Sequence, residues 1–414
     1  MPSSQVEQGR IQPEIFHGSR IRHRGCCAGV DDFGIHRRAS SITPMRIVSM
    51  FSRCALGTAM VLSFALSTGV PDAAAAPESG ARVTASADGL ALDGNPWWPT
   101  GFNAYQLATD WSINAGCGAM VDLDSYFGAL PPHSLTRFNA FQSLAIDRFT
   151  GALDFRPMDA VFAAAEAHGQ LVVPVLSPQD GACEGNVFKG RQWYIDGWTT
   201  PPAVADTNAV TSFEQWMLTA VNRWKDSPAL AAWELVGEPE TSSCTDAACS
   251  WTTRTCTADA AEVLRSFFDT AGQQLRSVDS HTLITAGLTG GGQCGSQGDE
   301  YEYLAQSSFV DMLQYHDYGS DGVPLPGDQW NGLQRRIIQS AAVGKPLLVG
   351  EIGQLAGSCG DIGARATSIA TKIDGQRAAG TAGALLWAFV PDPRPAECTY
   401  DIGPGDPLWQ TIGP

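Results

Sequence analysis

Two glutamates at the ends of short apolar runs are the residues of this sequence best suited to chemistry. Glu238 follows the run Ala229–Val236, and Glu351 follows the run Pro346–Gly350. A short apolar run closed by Gly or Pro is typical of a buried strand, and a parallel barrel builds its active site at the carboxyl ends of its strands. Two carboxyl groups roughly 5–5.5 Å apart can cleave a glycosidic bond with retention of configuration. We therefore predict that Glu238 and Glu351 form a catalytic pair.

Other polar and aromatic residues occur where strands are expected to present them to the same site. Arg137 lies in the middle of a strand-like run, and an inward Arg in a barrel needs an acidic partner. The segment Tyr315–Tyr318 ends another strand and offers a hydroxyl, and Trp387 on the last strand could form the floor of a sugar site. Glu234 is a possible second inward acid, whereas we expect Glu240 to face solvent in a loop.

Strand-like and helix-like runs alternate through the chain after residue 81. This alternation favours parallel strands with crossover helices, and eight such units predict an α/β fold, a (β/α)8 TIM barrel that occupies residues 77–414 as one domain. A doubly wound open sheet is the alternative. A β-hairpin over 81–99 is expected to plug the bottom of the barrel. The strand-like runs are 100–105, 135–141, 171–176, 229–236, 282–286, 310–316, 346–350 and 384–390, and the helix-like runs are 158–168, 212–224, 258–278, 301–306, 331–342 and 364–379.

The composition indicates a large protein with an acidic surface. The 414 residues are 44% hydrophobic and 17% charged, and the formal net charge is −17. This charge argues against nucleic acid as a partner, because phosphates require a basic surface. The acidity is consistent with a protein that binds neutral ligands such as glycans, and we expect it to act as a monomer without a cofactor.

Residues 45–76 have the features of a secretory signal peptide. Arg46 and Arg53 provide a basic start, 54–66 is a short apolar run, and 72–76 supplies the small residues that a signal peptidase needs. Residues 1–44 are predicted to be a disordered extension or the product of a start codon assigned too far upstream. The alternative is an uncleaved membrane anchor. With a cleaved signal, the protein is secreted, extracellular or associated with the cell wall, and it has no membrane contact.

Cysteine usage supports export. Eight of the 11 cysteines follow the predicted signal, and an even set in a secreted chain predicts up to four disulfides, whose pairing the sequence leaves open. No Cys-x-x-Cys pair occurs, so we expect no structural metal site. The eight are Cys117, Cys183, Cys244, Cys249, Cys256, Cys294, Cys359 and Cys398.

At these residues the chain resembles glycoside hydrolase family 5 and its wider clan of retaining barrel enzymes, above all the endo-β-mannanases and cellulases. The resemblance extends over nearly the whole predicted mature chain. The motifs that carry it are Gly101–Tyr105 with Asn103 and Tyr105, Arg137, Gln192–Trp198 with Trp193, Ala231–Pro239, His316-x-Tyr318, Gly350–Gly353 and Trp387.

The resemblance implies a role for each matching residue. Glu238 matches the acid/base and Glu351 the nucleophile. Arg137 and Tyr318 match groups that keep the nucleophile ionised, while His316 and Trp387 match residues of the sugar site, as a substrate-binding or supporting set that also includes Asn103, Tyr105 and Trp193. The implied function is hydrolysis of a β-linked mannan- or glucan-type polysaccharide or oligosaccharide by double displacement.

One position departs from the family pattern. The family carries Asn directly before the acid/base, where this chain has Gly237. That Asn bonds the sugar 2-hydroxyl, and such bonds strengthen in the transition state. Two alternatives therefore remain open: a carbohydrate-binding barrel with weakened catalysis, and a clan member that acts on an unusual cell-wall glycan.

Two unrelated enzyme classes have little support. Gly290-x-Gly292-x-x-Gly295 fits a dinucleotide fingerprint formally, but the predicted helix begins later than that fingerprint requires. A serine hydrolase of the commonest type is excluded because the chain contains no Gly-x-Ser-x-Gly motif.

Overall fold

The computed structural model describes residues 82–202, 210–246 and 249–413. The N-terminal extension and the signal peptide, predicted over 1–44 and 45–76, lie outside the described residues. In the part of the chain that is described, no helix has both the length and the apolar character that a membrane crossing requires.

Eight parallel strands form a closed barrel. One four-stranded sheet has the order β10 (Leu283–Thr285), β7 (Ala232–Glu234), β6 (Leu171–Val175), β5 (Leu135–Asn139). The other has the order β11 (Leu313–Asp317), β12 (Leu347–Ile352), β14 (Ala384–Leu386), β4 (Thr100–Phe102). Parallel bridges join Asn103 to Arg137 and Thr285 to Met312, so each sheet edge is paired with the other sheet. The predicted TIM barrel is confirmed, and the open-sheet alternative is wrong. The strands are β1 (Val83–Ser86), β2 (Gly89–Leu92), β3 (Asn95–Trp97), β4 (Thr100–Phe102), β5 (Leu135–Asn139), β6 (Leu171–Val175), β7 (Ala232–Glu234), β8 (Ser243–Cys244), β9 (Arg254–Thr255), β10 (Leu283–Thr285), β11 (Leu313–Asp317), β12 (Leu347–Ile352), β13 (Ala356–Gly357), β14 (Ala384–Leu386) and β15 (Cys398–Thr399).

Helices surround the barrel and bury one face each. In α4 (Phe213–Trp224) the side chain of Ser212 accepts a hydrogen bond from the Gln215 N–H and caps the first turn, while Trp216, Met217 and Val221 are buried in the core. The short helices α1 (Leu123–Ala129) and α3 (Arg191–Ile195) were not predicted from the sequence. The helices are α1 (Leu123–Ala129), α2 (Arg156–Ala167), α3 (Arg191–Ile195), α4 (Phe213–Trp224), α5 (Ala260–Val278), α6 (Glu300–Ala305), α7 (Leu333–Val343) and α8 (Ile362–Ala378).

The antiparallel strands β1, β2 and β3 cover the amino end of the barrel. Val83, Leu90 and Leu92 are buried in one cluster with barrel residues such as Leu171 and Leu385. The predicted hairpin is therefore present, has a third strand, and closes the end of the barrel opposite the candidate site.

Four disulfides use the eight predicted cysteines. The pairs are Cys117–Cys183, Cys244–Cys249, Cys256–Cys294 and Cys359–Cys398. Three of them join loops that follow different barrel strands, and all four lie in the segments that follow the strands' carboxyl ends. The disulfides thus hold together the loops around the end of the barrel where the two candidate glutamates lie.

Candidate active site

Glu238 and Glu351 lie beside each other at the carboxyl end of the barrel. Glu351 is near the end of β12, and Glu238 follows β7. One carboxylate oxygen of each, together with one ring nitrogen of His316, lies within 4.8 Å of the other two atoms. This separation fits a retaining glycosidase, in which no water has to fit between the two carboxyl groups.

The backbone at Glu238 has an uncommon conformation. Its φ is +61°, in the left-handed region that residues other than Gly seldom adopt. The Glu238 N–H donates to the Gly287 carbonyl at 2.9 Å, which holds the segment after β7 against the segment after β10. Backbone strain of this kind is concentrated at functional sites.

The guanidinium group of Arg137 is shared between two buried carboxylates. Its Nε and Nη2 donate to Glu234 at 2.8 and 2.6 Å, and its Nη1 donates to Glu351 Oε1 at 2.8 Å. Nη1 also donates to Asn103 Oδ1 at 2.9 Å. The expected acidic partner of Arg137 is thus present, but the bidentate partner is Glu234 and Glu351 receives a single donor.

His316 lies between acceptors on both sides of its ring. Nδ1 is 2.7 Å from Glu238 Oε1 and 3.5 Å from Glu351 Oε1. Nε2 is 3.3 Å from Gln314 Oε1, and the amide of Gln314 is oriented by its donation to Glu234 at 2.7 Å. Because both ring nitrogens face acceptors, the arrangement favours the imidazolium form, in which both donate. Burial lowers the pKa of His316, but the charges of Glu351 and Glu238 outweigh burial and raise it above 6.5.

Tyr318 contacts the second oxygen of Glu351. Its hydroxyl donates to Glu351 Oε2, and its ring packs edge-on against Tyr400 with centroids 5.3 Å apart. A Cβ at Gly353 would be 2.3 Å from the Tyr318 ring, so a side chain there would displace the tyrosine. The glycine two residues after Glu351 therefore makes room for a donor to Glu351.

The pKa order of the two carboxyl groups is opposite to the one the resemblance implies. Burial raises the pKa of Glu351 even though the charges of His316 and Arg137 oppose it. Burial also raises the pKa of Glu238, but the hydrogen bond and charge of His316 outweigh it, so the net pKa is lowered. The two shifts differ because His316 Nδ1 is within hydrogen-bond distance of Glu238 Oε1, at 2.7 Å, whereas it is 3.5 Å from Glu351 Oε1.

The buried charged groups of the site are in balance when one carboxyl group carries a proton. Three carboxylates (Glu234, Glu238 and Glu351) face two cations, Arg137 and the imidazolium of His316. With one carboxyl group protonated the cluster is neutral, a state that a buried site strongly favours over an uncompensated charge. A glycosidase that uses one acid and one ionised nucleophile needs this same single proton.

The raised pKa of His316 predicts a pH dependence of stability. A group with a raised folded-state pKa contributes stability that is present below its unfolded pKa, here about 6.5, and is lost as the pH rises through the folded pKa. We expect the free energy of unfolding to fall with pH above 6.5, by at most about 1.4 kcal/mol per pH unit from this group. Urea unfolding between pH 6 and 8 measures the slope. His316→Gln should lack this component, and equal slopes in the two proteins would contradict the assignment.

The remaining predicted site residues fall into two groups. Asn103 is buried and donates to the Gly350 carbonyl at 2.8 Å, and the rings of Tyr105 and Trp387 stack with centroids 5.8 Å apart. Trp193 belongs to a different cluster, since its ring contacts are with Tyr194, Phe213 and Phe267. The structure therefore brings Asn103 to the pair and places Trp193 among core aromatics.

The space beside Gly237 is largely occupied. A Cβ at this position would be 3.1 Å from Arg137 Nη2 and 3.3 Å from Val175 Cγ1. An Asn here would press on an Arg that is fixed by four hydrogen bonds to Glu234, Glu351 and Asn103. The departure from the family pattern is thus coupled to the position of the Arg137–Glu234 pair.

Two residues differ from what the sequence suggested. Glu240, expected to face solvent, is 4% exposed and accepts hydrogen bonds from Ser242 and Arg254. Gln314 was not singled out, although it is fully buried and links Glu234 to His316. A polar residue at an inward position of the strand-like run 310–316 was the available signal.

Three side chains of the candidate site meet the geometric requirement for a metal site. Glu238, His316 and Glu351 could in principle present one ligand atom each. Both nitrogens of His316 are already opposite acceptors, whereas a metal ligand must be a neutral imidazole with a free lone pair. The hydrogen bonding thus favours a proton-holding cluster over a metal centre.

The curated relatives that the chain matches are named as mannan endo-1,4-beta-mannosidases. No family model matches the chain. The mannan endo-1,4-beta-mannosidase F of Aspergillus clavatus is 28% identical over 229 residues, which are 51% of this chain and 47% of that protein. The mannan endo-1,4-beta-mannosidase A of Podospora anserina is 27% identical over 224 residues, 51% of this chain and 54% of that protein. The chain thus spans about half the length of the curated relatives it matches.

Solved structures share the barrel. An endo-1,4-beta-mannanase from Rhizomucor miehei has a TM-score of 0.58 at 17% identity, covering 80% of this chain and 96% of that one. A glycoside hydrolase family 5 mannosidase from the same organism has a TM-score of 0.51 at 16% identity, with the same coverage. The resemblance to glycoside hydrolase family 5 is confirmed.

Proposed function

We propose that this chain is a secreted glycoside hydrolase that cleaves β-linked mannan or a related glucan-type β-glycan with retention of configuration. The observation that carries the proposal is the pair Glu238 and Glu351, whose nearest oxygens lie within 4.8 Å at the carboxyl end of the barrel. Mannan is placed first because the curated relatives are named as mannan endo-1,4-beta-mannosidases.

Each glutamate acts in both steps of the mechanism. Glu351 attacks the anomeric carbon and forms a covalent glycosyl ester, while Glu238 donates its proton to the departing glycosidic oxygen. Glu238 then takes a proton from water, the water oxygen attacks the anomeric carbon, and the carboxylate of Glu351 leaves. Arg137, Tyr318 and His316 supply the hydrogen bonds and charge that stabilise Glu351 as an anion during the second step.

Substrate binding reverses the proton order that the free protein has, in which the pKa of Glu351 is raised and that of Glu238 is lowered. Glu238 is the more exposed carboxyl group, so a sugar placed over it removes water and raises its pKa. Glu351 is already buried and keeps its donors from Arg137 and Tyr318. The single proton of the cluster then belongs on Glu238, where it is needed for departure of the leaving group.

The stacked rings of Tyr105 and Trp387 are the proposed aromatic floor for the sugar. Asn103 supports the site because it accepts a hydrogen bond from Arg137 and donates one to the Gly350 carbonyl. Secretion is consistent with the four disulfides. We propose that the mature protein acts as a monomer outside the cell or at the cell wall.

A carbohydrate-binding barrel with weakened catalysis is the second candidate. The observation that favours it is Gly237, which has no side chain to bond the sugar 2-hydroxyl and which faces the fixed Arg137. Such a protein would keep the aromatic floor and bind glycans without releasing product.

A substrate screen separates the two candidates. Purified protein from about Pro77 is incubated with β-mannan, cellulose, xylan and β-1,3-glucan, and new reducing ends and binding are measured in parallel. The hydrolase proposal predicts product from mannan first and, by NMR of the early product, the retained anomer. Tight binding without product from any glycan would favour the binding barrel, and an inverted first product would exclude the two-carboxylate retaining mechanism.

A further inference from the structure

Asp317 lies between two residues of the candidate site but faces the other way. It separates His316, which contacts Glu238, from Tyr318, which contacts Glu351. Successive side chains of a strand point to opposite faces. Accordingly, the Asp317 carboxylate is directed to helix α8, where Lys372 Nζ is 2.9 Å from Oδ1 and Gln376 Nε2 donates to Oδ2 at 2.5 Å.

The two α8 residues are polar groups in a buried position. Lys372 and Gln376 are 1% and 0% exposed and lie one helical turn apart, so they share a face of α8 with the apolar Ile369 and Ile373. Lysine is almost never fully buried unless it is paired. Lys372 Nζ also donates to the Gly319 carbonyl at 3.3 Å, so α8 also contacts the residue that follows Tyr318.

Lys372 and Gln376 together form a clamp on Asp317. The clamp acts where the barrel's own hydrogen bonds are irregular. The β11–β12 register shifts between Tyr315 and His316, and the pairing resumes with His316 opposite Glu351 and Asp317 opposite Ile352. Beyond this point, the Asp317 carbonyl accepts the Gly353 N–H at 3.1 Å and Asp317 Oδ1 accepts the Gly319 N–H at 3.0 Å. Asp317 is therefore the anchor of the segment that carries both His316 and Tyr318.

We propose that Lys372 and Gln376 are positioning residues of the active site, which hold Asp317 so that His316 and Tyr318 meet Glu238 and Glu351 together. This inference rests on the proposed function for its catalytic consequence, but the geometric part stands without it. A displacement of about 1 Å in a catalytic group can lower a rate by about 100-fold. Loss of the clamp is expected to affect kcat more than KM, because neither α8 residue faces the sugar site.

The test compares three variants with the wild type. Lys372→Met should lower kcat about 10- to 100-fold with KM changed less than about threefold. Lys372→Met/Asp317→Asn removes both charges, so it avoids an unpaired buried carboxylate and should recover most of the lost stability. Arg276→Met is the matched control, since Arg276 pairs with Asp311 at the other end of β11. It should lose stability but keep the wild-type kcat.

Two outcomes would overturn the inference. A purely structural clamp predicts that kcat returns with stability in the double variant, and a positioning clamp predicts that kcat stays low. An unchanged kcat in a folded Lys372→Met protein would also refute it.

An NMR titration of the His316 ring keeps the geometric part testable if the protein hydrolyses no glycan. His316 faces Glu238, Glu351 and Arg137, and in Lys372→Met its midpoint should move toward that of an ordinary histidine as the contact with Glu238 loosens. An unmoved midpoint would refute the positioning role, whereas a moved midpoint without glycan hydrolysis in the wild type would refute only the proposed function.

Discussion

Replacing Glu351 by Ala is expected to lower kcat on β-mannan by at least about 10⁴-fold. The variant has no group to attack the anomeric carbon, and losing a nucleophile removes most of an enzyme's rate enhancement while transition-state contacts elsewhere leave a residue of activity. Initial rates of reducing-end release measure the loss. Substrate affinity should change little, because the proposed floor of Tyr105 and Trp387 is untouched.

Addition of azide to the Glu351→Ala variant tests whether Glu351 acts as the nucleophile. Azide can enter the space left by the carboxylate and attack the anomeric carbon of an activated aryl glycoside. The product should then be a glycosyl azide of inverted configuration. Glu351→Gln, of nearly the same shape, should be as inactive as the Ala variant without azide. Turnover of β-mannan that survives in either variant would remove Glu351 as the nucleophile.

Replacing Glu238 by Ala is expected to separate two classes of substrate. On β-mannan, whose leaving group needs a proton, kcat should fall about 10²–10⁴-fold. On an aryl glycoside with an acidic phenol, the first step needs no acid, so formation of the glycosyl ester should be nearly unaffected and seen as a burst of phenol. Stopped-flow absorbance on both substrates gives the comparison.

Azide and a neighbouring glutamate provide the controls. In Glu238→Ala, azide should attack the glycosyl ester and give a glycosyl azide of retained configuration, the opposite of the Glu351 variant. Glu240→Gln alters a buried carboxyl group in the same loop that bonds Ser242 and Arg254, and it should keep most of the activity. Equal losses on both substrates in Glu238→Ala would contradict the acid role.

The pKa values of Glu238 and Glu351 in the free protein do not assign their roles, so both the Glu238→Ala and the Glu351→Ala variant are needed. In the free protein the pKa of Glu351 is raised and that of Glu238 is lowered. The roles therefore do not follow from resting ionisation. They follow from position: Glu238 is the carboxyl group that substrate can desolvate, and Glu351 is the one that already has fixed donors.

The sequence alone determined the frame of the molecule. Alternating apolar runs and helix patterns are local signals, and each run reports its own strand or helix. The eight-stranded barrel, the amino-terminal hairpin and the use of eight cysteines in disulfides all followed from such signals and are present in the structure. The position of Glu238 and Glu351 at strand ends followed as well, since a barrel gathers the ends of its strands in one place.

Only the tertiary structure decided how the side chains share their partners. Arg137 was expected to serve Glu351, yet its bidentate contact goes to Glu234, and Gln314 and Lys372 were not expected in the network at all. Glu240, expected to face solvent, is buried. These features depend on distances between residues far apart in the chain and on the exclusion of water. Hydrogen-bond partners and desolvation set the ionisation of buried groups, and neither can be obtained from the pattern of residue types along a single chain.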